Sequence, residues 1–293
     1  MLLTEFFLPV QKEAPSHATL VSHKLMLRSG MISQLSSGLY NWHGLGVMLL
    51  NNISSIIRQE MHNIAANEIL MPILQPAQLW QESGRYDDYG QEMLRVSDRH
   101  DNNLLFGPTN EEVVTDIFRK HITSYKSLPL NLFQISWKFR DEIRPRFGVM
   151  RAREFLMKDA YSFDLDLESA TKTYKKYFKS YLNIFQRLGL KAVPVRADNG
   201  AIGGSLSHEF QIIADNGESE IFYDENLAVQ LAKGNFDYDS LKEFYAAADE
   251  KHDPKLTKNI NLKKFRAIEV GHIFNFGTKY SEMMQAKVQD HTG

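Results

Sequence analysis

From Phe133 to Glu142 apolar and polar residues alternate: Phe133, Ile135, Trp137 and Phe139 fall on one side, Gln134, Ser136, Lys138, Arg140 and Glu142 on the other. A period of two marks a strand with one face on a core and the other in a polar site. Residues 144–150 break the pattern with Pro145 and Gly148 and predict a turn. Alternation then resumes and aligns Arg151, Arg153, Phe155, Met157, Asp159 and Tyr161 on one face of a returning strand. The predicted unit is a hairpin.

Helices and strands mix around it. Residues 22–36 predict a helix capped by Ser22, 38–46 a loop holding Tyr40 and Trp42, and 47–64 a long amphipathic helix striped by Val47, Leu50, Ile53, Ile57, Met61 and Ile64. A strand over 68–71 stops at Pro72. Residues 104–106 predict a short strand, and Thr109 opens a helix with Thr109 and Glu112 spaced as a capping box. Further on come a helix over 168–188 stopped by Gly189, a strand over 192–197, a turn at Gly203-Gly204, and strands over 208–214 and 267–276. His208 reads as a structural histidine. Residues 226–265 are polar and helix-biased, ending in a lysine-rich stretch whose charges are expected to be solvated. The fold class is α+β.

Composition narrows the chemistry. The 293 residues are 43% hydrophobic, enough for a sizeable core, and the formal charge of −2 restricts any nucleic-acid contact to a local patch. No cysteine is present, which excludes disulfides, thiolate zinc sites and a cysteine nucleophile. No apolar run approaches a membrane span, and residues 1–20 hold Glu5, Glu13 and Pro15 where a signal peptide needs an apolar core, so the chain is expected to be cytoplasmic and untargeted. Between Lys138 and Lys158 seven basic residues face three acidic ones. Such a hairpin suits a polyphosphate carrying a planar base, because guanidinium groups grip phosphate oxygens bidentately and Phe155 offers a ring for stacking. It also suits a solvated edge that discourages sheet aggregation, or a nucleic-acid patch. Walker-type and dinucleotide-binding glycine patterns are absent from the sequence.

The order of residues decides among these. F-R-D-E, a basic loop and R-x-R-E-F (139–155) resemble motif 2 of the class II aminoacyl-tRNA synthetases. The words SHKLMLRSGMI (22–32), LMPILQPAQLWQESGR (70–85), GPTNEE (107–112), RPRFGVMR (144–151), EFLMKDAYSF (154–163), IGGSLSHEF (202–210) and IEVGHIFNFGTKYS (268–281) are similar to prolyl-tRNA synthetases of the bacterial type. They run in family order. The resemblance implies an antiparallel sheet flanked by helices, with a catalytic core over 1–221, a short insertion over 222–266 in place of an editing domain, and a return to the core over 267–293. It further implies a proline–tRNA ligase that forms prolyl-adenylate from L-proline and ATP with Mg2+ and transfers the prolyl group to tRNA(Pro), working as a homodimer through the helix and strand of motif 1. No membrane partner and no protein-held metal site are expected.

By the same resemblance Thr109 and Glu111 hold the amino group of proline, and Met157, Asp159 and Tyr161 shape its pocket. Arg140 grips the α-phosphate and the proline carboxylate. Glu142 contacts adenine or the tRNA end, Arg151 the triphosphate, and Phe155 stacks on adenine, while Glu269 and His272 meet ATP ribose or substrate. Arg140 and Glu142 are the catalytic pair. His43-Gly44-Leu45-Gly46 departs from the family's apolar–proline–apolar–glycine run, so an altered loop is expected before the long helix. The glycine-rich motif 3, with the arginine that covers the other face of adenine, does not occur before Gly293, nor does an anticodon-binding domain. A preorganised charge of that kind contributes several kcal/mol to barrier lowering. Little pyrophosphate exchange is therefore expected from residues 1–293 alone. The competing expectation is a truncated or degenerate homologue that binds nucleotide or tRNA without catalysis.

Overall fold

The computed structural model describes residues 2–202, 204 and 206–290. Chain contacts sort it into two compact units, one of Met1–Ser55, Glu68–Lys120 and Phe133–Tyr161, the other of Ile56–Asn67, His121–Leu132 and Ser162–Gly293.

In the first unit, helix α1 (Val21–Arg28) ends where Gly30 takes a φ of +68°, a conformation that costs a side-chain-bearing residue and releases the chain from the helix. The residues beyond form the antiparallel pair β1 (Ile32–Ser36) and β2 (Leu39–Trp42), with Ile32 opposite Trp42. The single helix expected over 22–36 is thus half helix and half strand. Ala18, Leu27 and Ile32 are buried together, with Tyr40 and Trp42 packed against them.

Helix α2 (Gly44–Asn63) starts inside the glycine pair expected to loop. A Cβ on Gly46 would stand 2.4 Å from the Met31 carbonyl oxygen, so the first turn of α2 approaches β1 more closely than any larger residue allows. Strand β3 (Asn67–Glu68) is shorter than the expected 68–71. Strands β4 (Leu74–Pro76), β5 (Arg95–Ser97) and β6 (Asn103–Phe106) make an antiparallel sheet in the order β4-β6-β5, with α3 (Ala77–Glu82) and α4 (Arg85–Asp88) between β4 and β5. Trp80, Met93 and Leu105 form its core. Helix α5 (Glu111–His121) follows β6. Strands β7 (Leu130–Phe139) and β8 (Glu154–Phe163) lie side by side in the order β3-β7-β8, and the Arg146–Arg151 antiparallel bridge carries the ladder into their connection. The predicted hairpin is present.

The second unit carries α6 (Leu167–Arg187), capped by Asp166, whose carboxylate accepts the Ser169 N–H at 2.7 Å. Its aromatic stripe is core: Phe178, Tyr181 and Phe185 pack on Phe210 with ring centroids 5.6, 5.1 and 5.8 Å away. Strands β9 (Ala192–Arg196), β10 (Leu206–Ile213), β11 (Ser219–Asp224), β12 (Ala246–Ala248) and β13 (Leu262–Asn275) close into a barrel in the order β10-β13-β11-β12-β9. Between β11 and β12 lie α7 (Glu225–Ala232) and α8 (Tyr238–Leu241), and α9 (Lys279–Met283) follows β13. The 226–265 segment thus supplies α7, α8, β12 and the start of β13, so part of it joins the closed sheet, while Lys251, Lys255, Lys258 and Lys264 are exposed. Of the glycine turn expected at 203–204, Gly203 lies outside the described residues.

Candidate active site

The first unit gathers most of the named residues around the start of α5. Thr109, Asn110, Glu111 and Glu112 are all buried there. The Thr109 hydroxyl donates to Glu111 Oε1 at 2.8 Å, and the Glu112 carboxylate turns to Arg85 and Ser83, so the expected Thr109–Glu112 capping box is replaced by tertiary contacts. Arg85 Nη1 reaches Glu111 Oε2 at 3.1 Å and Glu112 Oε1 at 2.9 Å, and Ser83 Oγ lies 2.8 Å from the same Glu112 oxygen. Gln75 braces the approach to the helix, donating to the Thr109 carbonyl at 3.0 Å and accepting from the Trp80 indole at 2.7 Å. Burial pushes the Glu112 carboxyl up to about 7, with Glu111 adding to the rise and Arg85 opposing it.

The polar face of β7 is the more buried one. Gln134 and Lys138 are 0% and 2% exposed, whereas Trp137 on the apolar side is 38% exposed. The buried groups satisfy one another across to β8. Lys138 Nζ lies 3.0 Å from Asp159 Oδ1, and Gln134 Nε2 and the Tyr161 hydroxyl donate to Asp159 Oδ2 at 2.9 and 2.7 Å. Gln134 Oε1 accepts the Met71 N–H, and the Tyr161 oxygen accepts the Asn110 N–H, which ties this network to the Thr109–Glu111 turn. Burial lowers the Lys138 pKa against the pull of Asp159, and raises that of Tyr161, reinforced by the negative charge of Glu111 and Asp159.

Arg140, at the end of β7, lies over the Phe155 ring at 5.5 Å and donates to the Pro108 carbonyl at 3.3 Å. Its Nε is buried without a hydrogen-bond partner. Glu142 sits 3.7 Å from Arg151 and accepts the Arg144 N–H, and Asp141 pairs with Arg153. Met157 is half-buried on β8. Thr109, Glu111, Asp159 and Tyr161 are thus linked by short hydrogen bonds, Arg140 reaches the adjoining Pro108, and Phe155 lies beneath Arg140. Glu142 and Arg151 form a separate pair in the β7–β8 connection.

Glu269 and His272 belong to the second unit. His272 Nδ1 is 3.3 Å from Glu269 and 3.7 Å from Glu209, and the ring stacks on Phe274 at 3.8 Å. Burial raises the Glu209 pKa, with Glu269 adding to it. His208 is structural: its Nδ1 lies 2.7 Å from the Tyr174 hydroxyl, its ring packs on Phe178, and burial lowers its pKa to about 4.

Sequence pattern does not distinguish Arg85, Gln134, Lys138 and Glu209 as site residues. Gln134 and Lys138 share the polar face of β7, and Arg85 closes the word ESGR, but nothing local says what any of them touches.

The class II core domain of the glycine, histidine, proline, serine and threonine tRNA synthetases matches residues 94–293. Over 294 residues the chain is 60% identical to a proline–tRNA ligase of Rickettsia bellii, covering all of this chain and 68% of that protein. A proline–tRNA ligase of Rickettsia typhi is 57% identical, with 100% and 69% covered. Among solved structures, prolyl-tRNA synthetase of Cryptosporidium parvum with L-proline and AMP superposes with a TM-score of 0.67 at 17% identity, over 92% of this chain and 45% of that one. The Giardia lamblia enzyme with prolyl-adenylate gives 0.69 at 18%, over 89% and 45%. The chain therefore spans about two thirds of these curated relatives and under half of these solved chains. It has their mixed fold, and by its identity to the curated relatives it belongs to the proline–tRNA ligase family of class II aminoacyl-tRNA synthetases.

Proposed function

We propose that this chain carries the catalytic portion of a proline–tRNA ligase, which activates L-proline with ATP and passes the prolyl group to tRNA(Pro). One observation carries the reading: a buried hydroxyl–carboxylate pair, Thr109–Glu111, immediately follows the carbonyl of Pro108, which Arg140 contacts, and Arg140 keeps a buried unpaired Nε. A secondary ammonium needs acceptors, and a carboxylate or phosphate needs a guanidinium donor. Glu111 and Thr109 take the amino nitrogen, and Met157 and the braced Asp159 and Tyr161 wall the ring. Arg140 holds the proline carboxylate against the α-phosphate, and Phe155 stacks on adenine. Arg151 takes the triphosphate, and Glu142 contacts adenine or the tRNA end. Glu269 and His272 are assigned to ATP ribose or substrate by the family resemblance.

A carboxylate oxygen of proline forms a bond to the α-phosphorus as the bond to the bridging oxygen of pyrophosphate breaks. The terminal ribose hydroxyl of tRNA then attacks the prolyl carbonyl and AMP leaves. Both steps need positioning and charge neutralisation more than a protein nucleophile. Magnesium, when bound with ATP, neutralises phosphate charge. Among the described residues, the donor atoms of Glu209, Glu269 and His272 converge within 4.8 Å. The two carboxylates suit this hard ion and the imidazole does not.

A second copy of the chain is the proposed partner, because Val47, Met48 and Leu49 on α2 and Leu70 after β3 are exposed apolar residues in the motif 1 segment. Sedimentation equilibrium tests this, and a monomer at all concentrations would remove the dimer from the proposal. A cytoplasmic location is part of the proposal; among the described residues no helix is long and apolar enough to cross a membrane. Proline-dependent exchange of labelled pyrophosphate into ATP tests the main reading. It is measured on this chain, and on this chain joined to the remaining third of its relatives. Exchange is expected from the longer form, and its absence there, with intact fold, would overturn the assignment.

A further inference from the structure

The unit that holds Thr109 and Glu111 also buries a cation that the proposed chemistry does not use. Gly84, at φ +73°, turns the chain so that Arg85 opens α4, and the guanidinium is 3% exposed. It lies 4.8 Å over the Trp80 ring and 5.6 Å from Tyr89, and one nitrogen, Nη1, meets both Glu111 Oε2 and Glu112 Oε1. The other oxygen of Glu111 takes the Thr109 hydroxyl. Both oxygens of Glu111 are therefore held, and its rotamer is set before any ligand arrives. The second oxygen of Glu112 is buried without a hydrogen-bond partner.

Lys138 is engaged on Asp159, and Arg85 is the cation in hydrogen-bond contact with Glu111. We infer that Arg85 is a positioning residue for the substrate's amino nitrogen, fixing the Glu111 carboxylate in the rotamer that receives the secondary ammonium of the incoming imino acid. The inference rests on the proline-site reading and extends it from where the nitrogen binds to what holds the carboxylate that receives it.

The discriminating ligand is tetrahydrofuran-2-carboxylate, a ring of the same shape with a neutral oxygen in place of the ammonium. Titration calorimetry on the full chain compares it with L-proline for wild type, Arg85→Met, Arg85→Gln, Arg85→Lys and Glu112→Gln. Wild type is expected to prefer proline strongly. Arg85→Met should weaken proline binding by about tenfold or more, equivalent to about 1.4 kcal/mol, and leave the oxygen analogue nearly unchanged. Because a single nitrogen serves both carboxylates, the one ammonium of Arg85→Lys should restore most of the affinity. Glu112→Gln keeps Arg85 on Glu111 and should leave proline binding close to wild type, and Arg85→Gln serves where Arg85→Met does not fold. Wild type that binds no proline overturns the substrate reading and this inference with it. Proline binding that folded Arg85→Met, or Arg85→Gln, leaves within twofold of wild type, or a Glu112→Gln loss as large as that of Arg85→Met, overturns the inference alone.

Discussion

Replacing Glu112 by glutamine tests the electrostatics of the α5 start directly. The side chain is fully buried, and burial outweighs the help of Arg85, so its carboxyl holds a proton up to about pH 7 in the fold against 4.5 outside it. A difference of that size is worth about 1.36 kcal/mol per unit, or roughly 3 kcal/mol across the window. The sign follows from proton counts. Between 4.5 and about 7 the folded chain binds a proton that the unfolded chain has released. This contribution to stability is fully present below 4.5 and is lost as the pH rises through about 7. Glutamine keeps an amide oxygen for Arg85 and Ser83 but has nothing to ionise. Urea midpoints of wild type and Glu112→Gln, multiplied by their slopes, give the difference at each pH. The variant should gain on wild type by about 3 kcal/mol between the acid and alkaline ends of the window. Parallel curves would refute the account, since they would mean that Glu112 is ionised in the fold throughout.

Lys138→Met leaves Asp159 buried without its cation and should destabilise the chain by about 3–5 kcal/mol in urea, with Asp159→Asn added to the same chain recovering part of the loss. Gly46→Ala forces a Cβ against the Met31 carbonyl and should cost about 1–3 kcal/mol, read as a lowered thermal midpoint by circular dichroism. Arg140→Ala in the chain joined to the remaining third of its relatives should cut pyrophosphate exchange by at least about 10²-fold, the scale of losing a preorganised charge, with the circular dichroism unchanged. Near-normal exchange would remove Arg140 from its role.

Local pattern carried the strands and helices that bury one face, and failed where the partner lies far along the chain. Period two identified β7 and β8 and grouped Arg140 with Lys138 and Gln134, but it says only which side chains share a face, not which face turns inward. The polar face went in because Asp159, Tyr161 and Met71 meet it, and those contacts span up to 63 residues. Arg85 is the same case, reaching Glu111 and Glu112 from 26 and 27 residues away. Ile32 and Leu35 are three residues apart and fit a helix as well as a strand, so only the backbone demand at Gly30 separates α1 from β1. Ala246–Ala248 favours helix by composition, yet it lies buried in the barrel as β12, where small side chains pack and intrinsic preference yields to tertiary context.

The family words name the residues proposed to face ligand, while the structure adds what holds them. Thr109 and Glu111 could be proposed from a motif because a hydroxyl and a carboxylate two residues apart suit an amino nitrogen. Arg85 and Lys138 pair with carboxylates and Gln134 with Asp159 and the Met71 N–H, so no ligand chemistry points to them. Their cost is nonetheless the larger one, because each buries a charge or an amide whose desolvation only a placed partner offsets. Arg85 and the Thr109 hydroxyl together hold both oxygens of Glu111, a tighter constraint than either partner alone would impose. That excess of constraint is the physical reason to look for the substrate's nitrogen at this carboxylate and at no exposed one.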